Sequence, residues 1–234
     1  PEVQKLFDYF YFTPRQINLQ PQNDYLQINA ISIGGNKTDQ FITQNVEHQT
    51  FVKSNGQLFD EITIKRTNQF NQSYLNGWKR ILKSFGLKNI DDNVLKILGN
   101  SPNKDNLKIY LPLGTTLDNA IGIDPQDVIV RSDPELHKTF FLFPMNTAPG
   151  KTSSVTLRYK LPYRLKFFPA SIYRFTYQTQ PGITPTTIEK TFSLSPNLKT
   201  IRTYDSLGLP FNTSNQELKS NQNKDFYLST IISS

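Results

Sequence analysis

The sequence contains no cysteine, and this absence excludes several kinds of chemistry. Disulfides, thiol nucleophiles, zinc–thiolate centres and iron–sulfur clusters all need cysteine sulfur. The absence leaves the redox compartment open, because an extracytoplasmic chain can lack disulfides. A β-protein without disulfides can instead be cross-linked by an isopeptide bond between a lysine and an asparagine, and the sequence leaves this open. Such a bond would lower the intact mass by one ammonia.

Histidine is almost as scarce, since the 234 residues hold two imidazoles, His48 and His137. Metal binding or general-base catalysis would need one of them close to a carboxylate such as Glu47 or Glu135. The two histidines lie in or beside predicted strands, 89 residues apart in the chain. We therefore expect both to be solvated or half-buried structural residues.

Charged residues and long apolar runs are also few. Charged residues make up 19% of the chain, with a net charge of +7. Much of the other polarity comes from 37 asparagines and glutamines, which suit strands and loops better than helical bundles. No apolar run approaches the roughly 20 residues that cross a bilayer. The chain opens at Pro1 without a signal-like segment, and we expect it to be a processed or excised piece.

Apolar and polar residues alternate along most of the sequence, and 29 aromatic residues can close a core. Runs of period two, bounded by proline or glycine, predict strands. These runs are 24–33, 42–53, 57–68, 107–113, 115–122, 127–131, 137–144, 154–161, 171–180, 187–194, 198–204 and 224–232. The pattern predicts an all-β fold, an antiparallel immunoglobulin-like β-sandwich in one or two units.

The second and third of these runs predict a β-hairpin. Asn55-Gly56 lies between them, and this dipeptide favours a type I′ turn because both turn residues need positive φ. In the second strand of the hairpin, Ile62 and Ile64 fall on one face and the intervening polar residues on the other. This is the period of a half-buried strand.

Residues 69–105 interrupt the strand pattern with two apolar runs at helical spacing. The first run is Trp78, Ile81, Leu82 and Phe85, and the second is Ile90, Val94, Leu95 and Leu98. Asn89 suits the N-cap of the second helix, with Asp91 and Asp92 in its first turn. We predict a small helical insertion whose apolar stripe covers one end of the sandwich.

The predicted elements divide the chain into three parts. Residues 1–40 form an N-terminal segment with a short helix, one strand and a Gly-Gly turn. Residues 41–162 form a β-sandwich that includes the helical insertion at 69–105. Residues 163–234 form a smaller β-sandwich unit packed on the first. One long sandwich is the alternative layout.

Two motifs resemble functional sites without the context that such sites need. Gly34-Gly35-Asn36-Lys37-Thr38 has the lysine and threonine of a phosphate-binding loop, but Asn36 replaces the required glycine and a strand pattern follows. We interpret it as a tight turn with Asn36 in the left-handed conformation. Asp60 and Glu61 are adjacent in a strand, so they face opposite ways and form no acid/base pair. We predict no catalytic residue, no metal site, no cofactor and no enzyme activity.

A basic, aromatic stretch from Arg158 to Arg174 supplies the candidate binding surface. One interpretation is a strand with a basic outer face and a core of aromatics. The other is a surface that holds an anionic glycan or lipid, for which aromatic platforms and cations are suited. The candidate binding residues are Arg158, Lys160, Tyr163, Arg164, Lys166, Arg174 and Trp78. No nucleic-acid-binding signature accompanies them, so we expect no nucleic-acid partner.

Several segments, taken together and in order, resemble the C-terminal half of the domain of unknown function 4012 family of bacterial proteins. The matching segments are 24–26, 34–38, the hairpin with Asn55-Gly56 at its tip, 107–114, 149–150, 155–162 and 180–182. The resemblance covers residues 5 to about 183. The insertion at 69–105 is longer than the family pattern, and the chain after 183 matches weakly.

The resemblance implies a cell-envelope protein with an N-terminal membrane anchor, a middle region similar to the LytR-CpsA-Psr cell-wall ligases, and β-rich modules after it. This chain matches the β-rich part alone. A catalytic region would therefore lie upstream of it, and the family assigns no catalytic residue to these positions. Any contact with a membrane would run through that preceding anchor.

Composition, pattern and resemblance together predict a non-catalytic extracytoplasmic structural or interaction module of a bacterial cell-envelope protein. The expected partners are a cell-wall polymer or another envelope protein. The alternative is a binding module for an anionic cell-wall glycan or polymer, which would use the basic, aromatic surface. The oligomeric state is not specified by the sequence.

Overall fold

Two β-sheets pack face to face in a computed structural model, which describes residues 2, 22–180, 186–205, 210–211, 218–220 and 225–234. Within these residues the strands are β1 Asp24–Ser32, β2 Ile42–Val52, β3 Gln57–Asn68, β4 Asn103–Pro112, β5 Thr116–Ile121, β6 Ile129–Asp133, β7 Lys138–Thr147, β8 Thr152–Arg164, β9 Ala170–Gln178, β10 Thr186–Leu194, β11 Lys199–Tyr204, β12 Pro210–Phe211, β13 Leu218–Ser220 and β14 Phe226–Ser233. The helices are α1 Gln72–Ser84 and α2 Asp92–Ile97, with 3-10 turns at Thr38–Phe41 and Pro125–Asp127. The all-β sandwich with a small helical insertion is confirmed. The short helix expected near residues 1–10 lies outside the described residues, apart from residue 2.

The described strands form one eight-stranded and one six-stranded sheet. Their orders are β12-β11-β14-β9-β1-β4-β7-β6 and β13-β10-β2-β3-β8-β5. The sheets are mixed rather than wholly antiparallel, because β9 runs parallel to β1 and β10 runs parallel to β2. Strands on both sides of the expected boundary at residue 162 pair within the same two sheets.

The core lies between the sheets and follows the predicted alternation. Along β8, Val155, Leu157, Tyr159 and Leu161 are buried, while the residues between them are half-buried or exposed. The inner faces of β2 and β3 show the same period. This pattern also places several polar residues on the inner faces, and those residues define the candidate site.

The hairpin between β2 and β3 is confirmed, but the turn differs from the predicted type I′. Gly56 has a φ of 79°, whereas Asn55 is not among the residues with positive φ. The Gly56 amide donates to the Lys53 carbonyl at 2.9 Å, and the Asn55 side chain accepts from the Gln57 amide. One glycine in the left-handed conformation at the end of a longer loop therefore replaces the two-residue turn.

Gly56 is also a close-contact position, and this gives a stability prediction. A Cβ at Gly56 would lie 1.9 Å from the carbonyl oxygen of Leu165. Gly56→Ala should lower the free energy of unfolding by about 3 kcal/mol, because the clash adds to the strain of a positive φ. Gly86→Ala is the matched control, with a φ of 87° and open space, and should lose only about 1 kcal/mol. Equal losses in urea unfolding would contradict the packing argument.

The helical insertion forms as two short helices, but the capping and packing differ from prediction. Asp91 caps α2 in place of Asn89, since its carboxylate accepts from the Asn93 amide at 2.8 Å. Asn71 caps α1 in the same way. The apolar stripe of α1 does not cover the sandwich, since no α1 residue is buried and Phe85 is 81% exposed. Among the described residues, no helix has both the length and the apolar character needed to cross a membrane.

The segment 34–38 forms a turn that leads into a 3-10 helix and then β2, as expected for a connection rather than a phosphate site. The left-handed residue is Gly35, with a φ of 61°, and not Asn36 as predicted. The Asn36 side chain instead bonds to Ser101 and to the Thr38 hydroxyl. These hydrogen bonds tie the turn to the segment that precedes β4.

Candidate functional site

A group of polar side chains lies sealed between the two sheets, and we refer to it as the interior cluster. Its members are at most 1% exposed. They are Asp24, His48, Thr50, Asp60, Tyr159, Tyr173 and Lys190. Burying two carboxyl groups, an amine and an imidazole together is costly unless they interact with one another. The cluster is therefore the most unusual chemical feature of the described chain.

The six-stranded sheet supplies most of the interior cluster through strand alternation. His48 and Thr50 alternate with outward residues on β2, and Asp60 shares its face of β3 with Ile62 and Ile64. Lys190 is the register partner of His48 across the parallel pair β10–β2. Adjacent strands thus bring an amine, an imidazole and a carboxyl group to one inner surface.

The eight-stranded sheet closes the interior cluster from the opposite side. Asp24 begins β1, and its register partner on the parallel strand β9 is Phe175. Tyr173, two residues before Phe175 on the same face of β9, donates its hydroxyl proton to Asp24 Oδ2. Asp24 thus reaches the Lys190 side of the core from the facing sheet.

Lys190 stands at the centre of the interior cluster. Its Nζ lies 3.1 Å from His48 Nδ1 and 3.8 Å from Asp24 Oδ2, and it donates to the Thr50 hydroxyl. Thr50 in turn donates to Asp60 Oδ1. His48 Nε2 lies 3.0 Å from the Tyr159 hydroxyl and 3.5 Å from Asp60 Oδ2. The cluster is one connected network that spans both sheets.

Burial shifts the ionisable members of the interior cluster toward their neutral forms. Burial, reinforced by the charge of Asp60, raises the pKa of Asp24 to about 6, against the opposing effect of Lys190. Burial likewise raises the pKa of Asp60, although Lys190 opposes it. Burial lowers the pKa of Lys190, although both carboxylates oppose it. Burial and then Lys190 hold the pKa of His48 well below 6.5.

Three members of the cluster have the donor atoms of a metal site. Asp24, His48 and Asp60 each offer one ligand atom, and these atoms lie within 4.8 Å of one another. The amine of Lys190 lies among them, at hydrogen-bond distance from His48 Nδ1. A cation placed there would face that amine, so the arrangement fits a lysine better than a metal ion, and we assign no metal to it.

The expectation of a half-buried or solvated histidine is wrong for His48, which is 1% exposed, and His137 is exposed. The acids beside His48 are Asp24 and Asp60 rather than Glu47 or Glu135. The opposite faces of Asp60 and Glu61 are confirmed. The alternation in β2 and β3 held the signal for His48 and Asp60, since they share faces with apolar residues. No local sequence pattern around Asp24 indicates that it packs against these residues from the other sheet.

The predicted binding residues fall in several places. Lys160 and Arg164 are exposed on β8, Lys166 is exposed in the loop after it, and Arg174 is exposed on β9 of the other sheet. Lys160, Tyr163 and Arg164 line a surface groove with Gln57, Gly114, Thr116 and Pro162. The structure therefore brings together Lys160, Tyr163 and Arg164 and places Arg174 on the opposite sheet.

Three of the predicted residues have side chains that are partly occupied by contacts within the chain. Arg158 lies over the Phe51 and Phe59 rings and 3.5 Å from Asp118. Tyr163 packs against the core with its hydroxyl buried. Trp78 is half-buried on α1, within the helical insertion.

The buried imidazole gives a pH prediction. Because the pKa of folded His48 is depressed, the unfolded chain binds more protons at this group below pH 6.5, and the contribution of His48 to folding stability falls on acidification, while the raised pKa values of Asp24 and Asp60 act in the opposite direction. From about pH 6.5 to about pH 5 the loss from this group should approach 2 kcal/mol. His48→Gln should flatten that slope in denaturant unfolding, and His137→Gln, at the exposed imidazole, should leave it unchanged. Equal slopes in both variants would contradict the burial of His48 in its neutral form.

Comparison with known proteins gives weak similarity to solved structures and no family. No family model matches the chain, and no curated protein matches it. Among solved structures, it is similar to a Legionella pneumophila protein assigned as a nutrient-binding protein. That likeness has a TM-score of 0.42 at 8% identity, over 90% of this chain and 71% of that one.

A second similar structure is the M1 zinc metallopeptidase of Deinococcus radiodurans. The TM-score is 0.33 at 15% identity, over 82% of this chain and 42% of that one. The chain thus spans less than half of the metallopeptidase. Neither likeness is strong enough to support a functional argument.

Proposed function

We propose that this chain is a non-catalytic extracytoplasmic module with a structural or interaction role in a bacterial cell-envelope protein. The observation that supports this most is the burial of the interior cluster. Its imidazole, carboxyl groups and amine are at most 1% exposed, so a substrate could not reach them without separating the sheets. In an open cleft such groups could act in catalysis, but here they form a buried polar network that holds the two sheets together.

The envelope location is supported by the ordered resemblance of residues 5 to about 183 to the β-rich half of the domain of unknown function 4012 family. A cysteine-free sandwich with a net charge of +7 also suits an anionic cell surface. In such a protein the module would act as a spacer and present its sheet faces and loops to wall polymer, to another envelope protein or to a second copy.

The location can be tested in the bacterium of origin with an epitope-tagged parent protein. We expect the tag to fractionate with the envelope, and added protease to remove it once the wall has been opened but before the membrane is broken. A tag that stays in the cytoplasmic fraction and resists protease until lysis would contradict the proposal.

A second candidate function, binding of an anionic wall glycan, is favoured by the groove beside Lys160 and Arg164. Lys166 and Phe168 lie in the loop that follows β8, and Phe168 is 97% exposed. Three cations and an exposed aromatic ring are suited to a phosphate-rich polymer. Arg174 and Trp78 lie outside this smaller surface.

Binding of purified teichoic acid to the chain, measured at low and high salt, tests the second function. Lys160→Glu with Arg164→Glu should abolish salt-sensitive binding. Lys199→Glu with Arg202→Glu, on exposed positions of β11 in the other sheet, makes the same change in net charge and should retain it. Equal loss in both double variants would show a general charge effect and contradict a site at the groove.

A further inference from the structure

Lys190 and Asp24 face each other across the interior of the sandwich, from opposite sheets. We propose that Lys190 Nζ and Asp24 Cγ become joined by an intramolecular isopeptide bond once the chain has folded. The Nζ atom already lies 3.8 Å from Asp24 Oδ2, with both side chains fully buried. Both positions are fixed by strand pairing, Lys190 on β10 and Asp24 on β1.

The surroundings of Lys190 favour amide formation over a stable ion pair. Its Nζ lies 4.5 Å from the ring centroid of Phe175, 5.3 Å from that of Tyr173 and 5.4 Å from that of Phe192. This aromatic wall keeps the amine from water, and burial favours its neutral, nucleophilic form. Burial likewise favours the protonated carboxyl of Asp24, which can lose its hydroxyl as water.

The reaction needs no partner from outside the chain. The nitrogen lone pair of Lys190 attacks Cγ of the protonated Asp24 carboxyl and forms the C–N bond. Asp60, which offers an oxygen within 4.8 Å of one from Asp24, takes a proton from the nitrogen and passes it to the departing hydroxyl. The C–O bond breaks, one water leaves, and Asp60 returns to its starting state. No atom is oxidised or reduced.

The remaining members of the cluster position these groups. The Tyr173 hydroxyl holds Asp24 Oδ2, and Thr50 contacts both Lys190 and Asp60. The bond would connect β1 to β10, and therefore one sheet to the other, without any cysteine. It goes beyond the proposed function, because it can form in this sandwich whatever the module contacts.

Intact mass spectrometry of the purified chain tests the proposal. We expect the wild-type chain to be lighter than its sequence mass by one water, and Lys190→Met to have its full sequence mass. Lys65→Met, which replaces a half-exposed lysine beside Glu47, is the matched control and should keep the loss of water. A folded wild-type chain of full mass, or a loss of water that persists in Lys190→Met, would overturn the proposal.

Peptide mapping and two further variants locate the bond. Fragmentation of a branched peptide should join Asp24 to Lys190, and a branch at Asp60 would overturn the assignment. Asp24→Ala should have its full mass, and a loss of water that persists in this variant would overturn the proposal. Asp60→Asn keeps the shape of the side chain but cannot carry the proton, so most of that variant should remain uncross-linked. Circular dichroism confirms that each variant has folded, and complete cross-linking in Asp60→Asn would overturn the role of Asp60.

Discussion

Lys190→Met should lower the free energy of unfolding by about 3–5 kcal/mol, because it leaves two buried carboxyl groups without their cation or covalent partner. Asp24 and Asp60 are both fully buried, and the methionine offers them no hydrogen bond. The pKa of Asp24 is already raised to about 6 with Lys190 present. Without Lys190 the carboxyl groups are stable in the core chiefly when protonated, so the deficit should be larger at about pH 8 than at about pH 5.

Chemical unfolding of the wild type and the variant at both pH values measures this effect. Lys65→Met is the control here as well, since its ion pair with Glu47 is half exposed and should contribute less than about 1 kcal/mol. A loss of unfolding free energy in Lys190→Met as small as that of the control would show that the interior cluster does not stabilise the sandwich as we describe. A loss that becomes smaller as the pH rises would show the same.

Arg66→Met should produce a second large loss, about 3–5 kcal/mol, at a separate position in the sandwich. Arg66 on β3 and Asp105 on β4 form an ion pair between the two sheets, with Nη1 and Oδ2 2.5 Å apart and side chains at most 4% exposed. Burial raises the pKa of Asp105 and Arg66 opposes that rise. Removing Arg66 would leave Asp105 buried and uncompensated.

Two further variants distinguish this prediction from a simple loss of side-chain volume. Replacing both partners, as Arg66→Met with Asp105→Leu, should recover most of the stability, because no unpaired charge remains. Arg158→Met removes an arginine whose pair with Asp118 is 40% and 53% exposed, and it should lose about 1 kcal/mol or less. A double variant less stable than Arg66→Met would contradict the electrostatic explanation.

The strands could be predicted from the sequence because each one has a local pattern of alternating apolar and polar residues. The alternation of Val155, Leu157, Tyr159 and Leu161 predicts β8, and the inner faces of β2 and β3 follow the same rule. The order of the strands within a sheet has no such local pattern. The parallel pairing of β9 with β1 and of β10 with β2 depends on contacts more than 100 residues apart, and alternation does not encode the partner of a strand.

The interior cluster was missed for a related physical reason. Polar residues in strands are usually solvated, so His48 was expected to be solvated or half-buried, and no prediction placed Asp60 or Lys190 in the core. Each nonetheless occupies an inward position on its strand, and each is stable there because the others are present. Because the stability of each position depends on the others, the network is not visible at any single position of the sequence.

The interior cluster is closed to solvent between the two sheets and is not an accessible reactive site, and the two histidines allow a direct measurement of this. Diethyl pyrocarbonate acylates accessible neutral imidazoles, and peptide mapping reports each histidine separately. In the native chain at neutral pH we expect His137 to react while His48, 1% exposed, stays unmodified. Both should react after unfolding. Modification of His48 at a rate close to that of His137 in the folded chain would contradict the account.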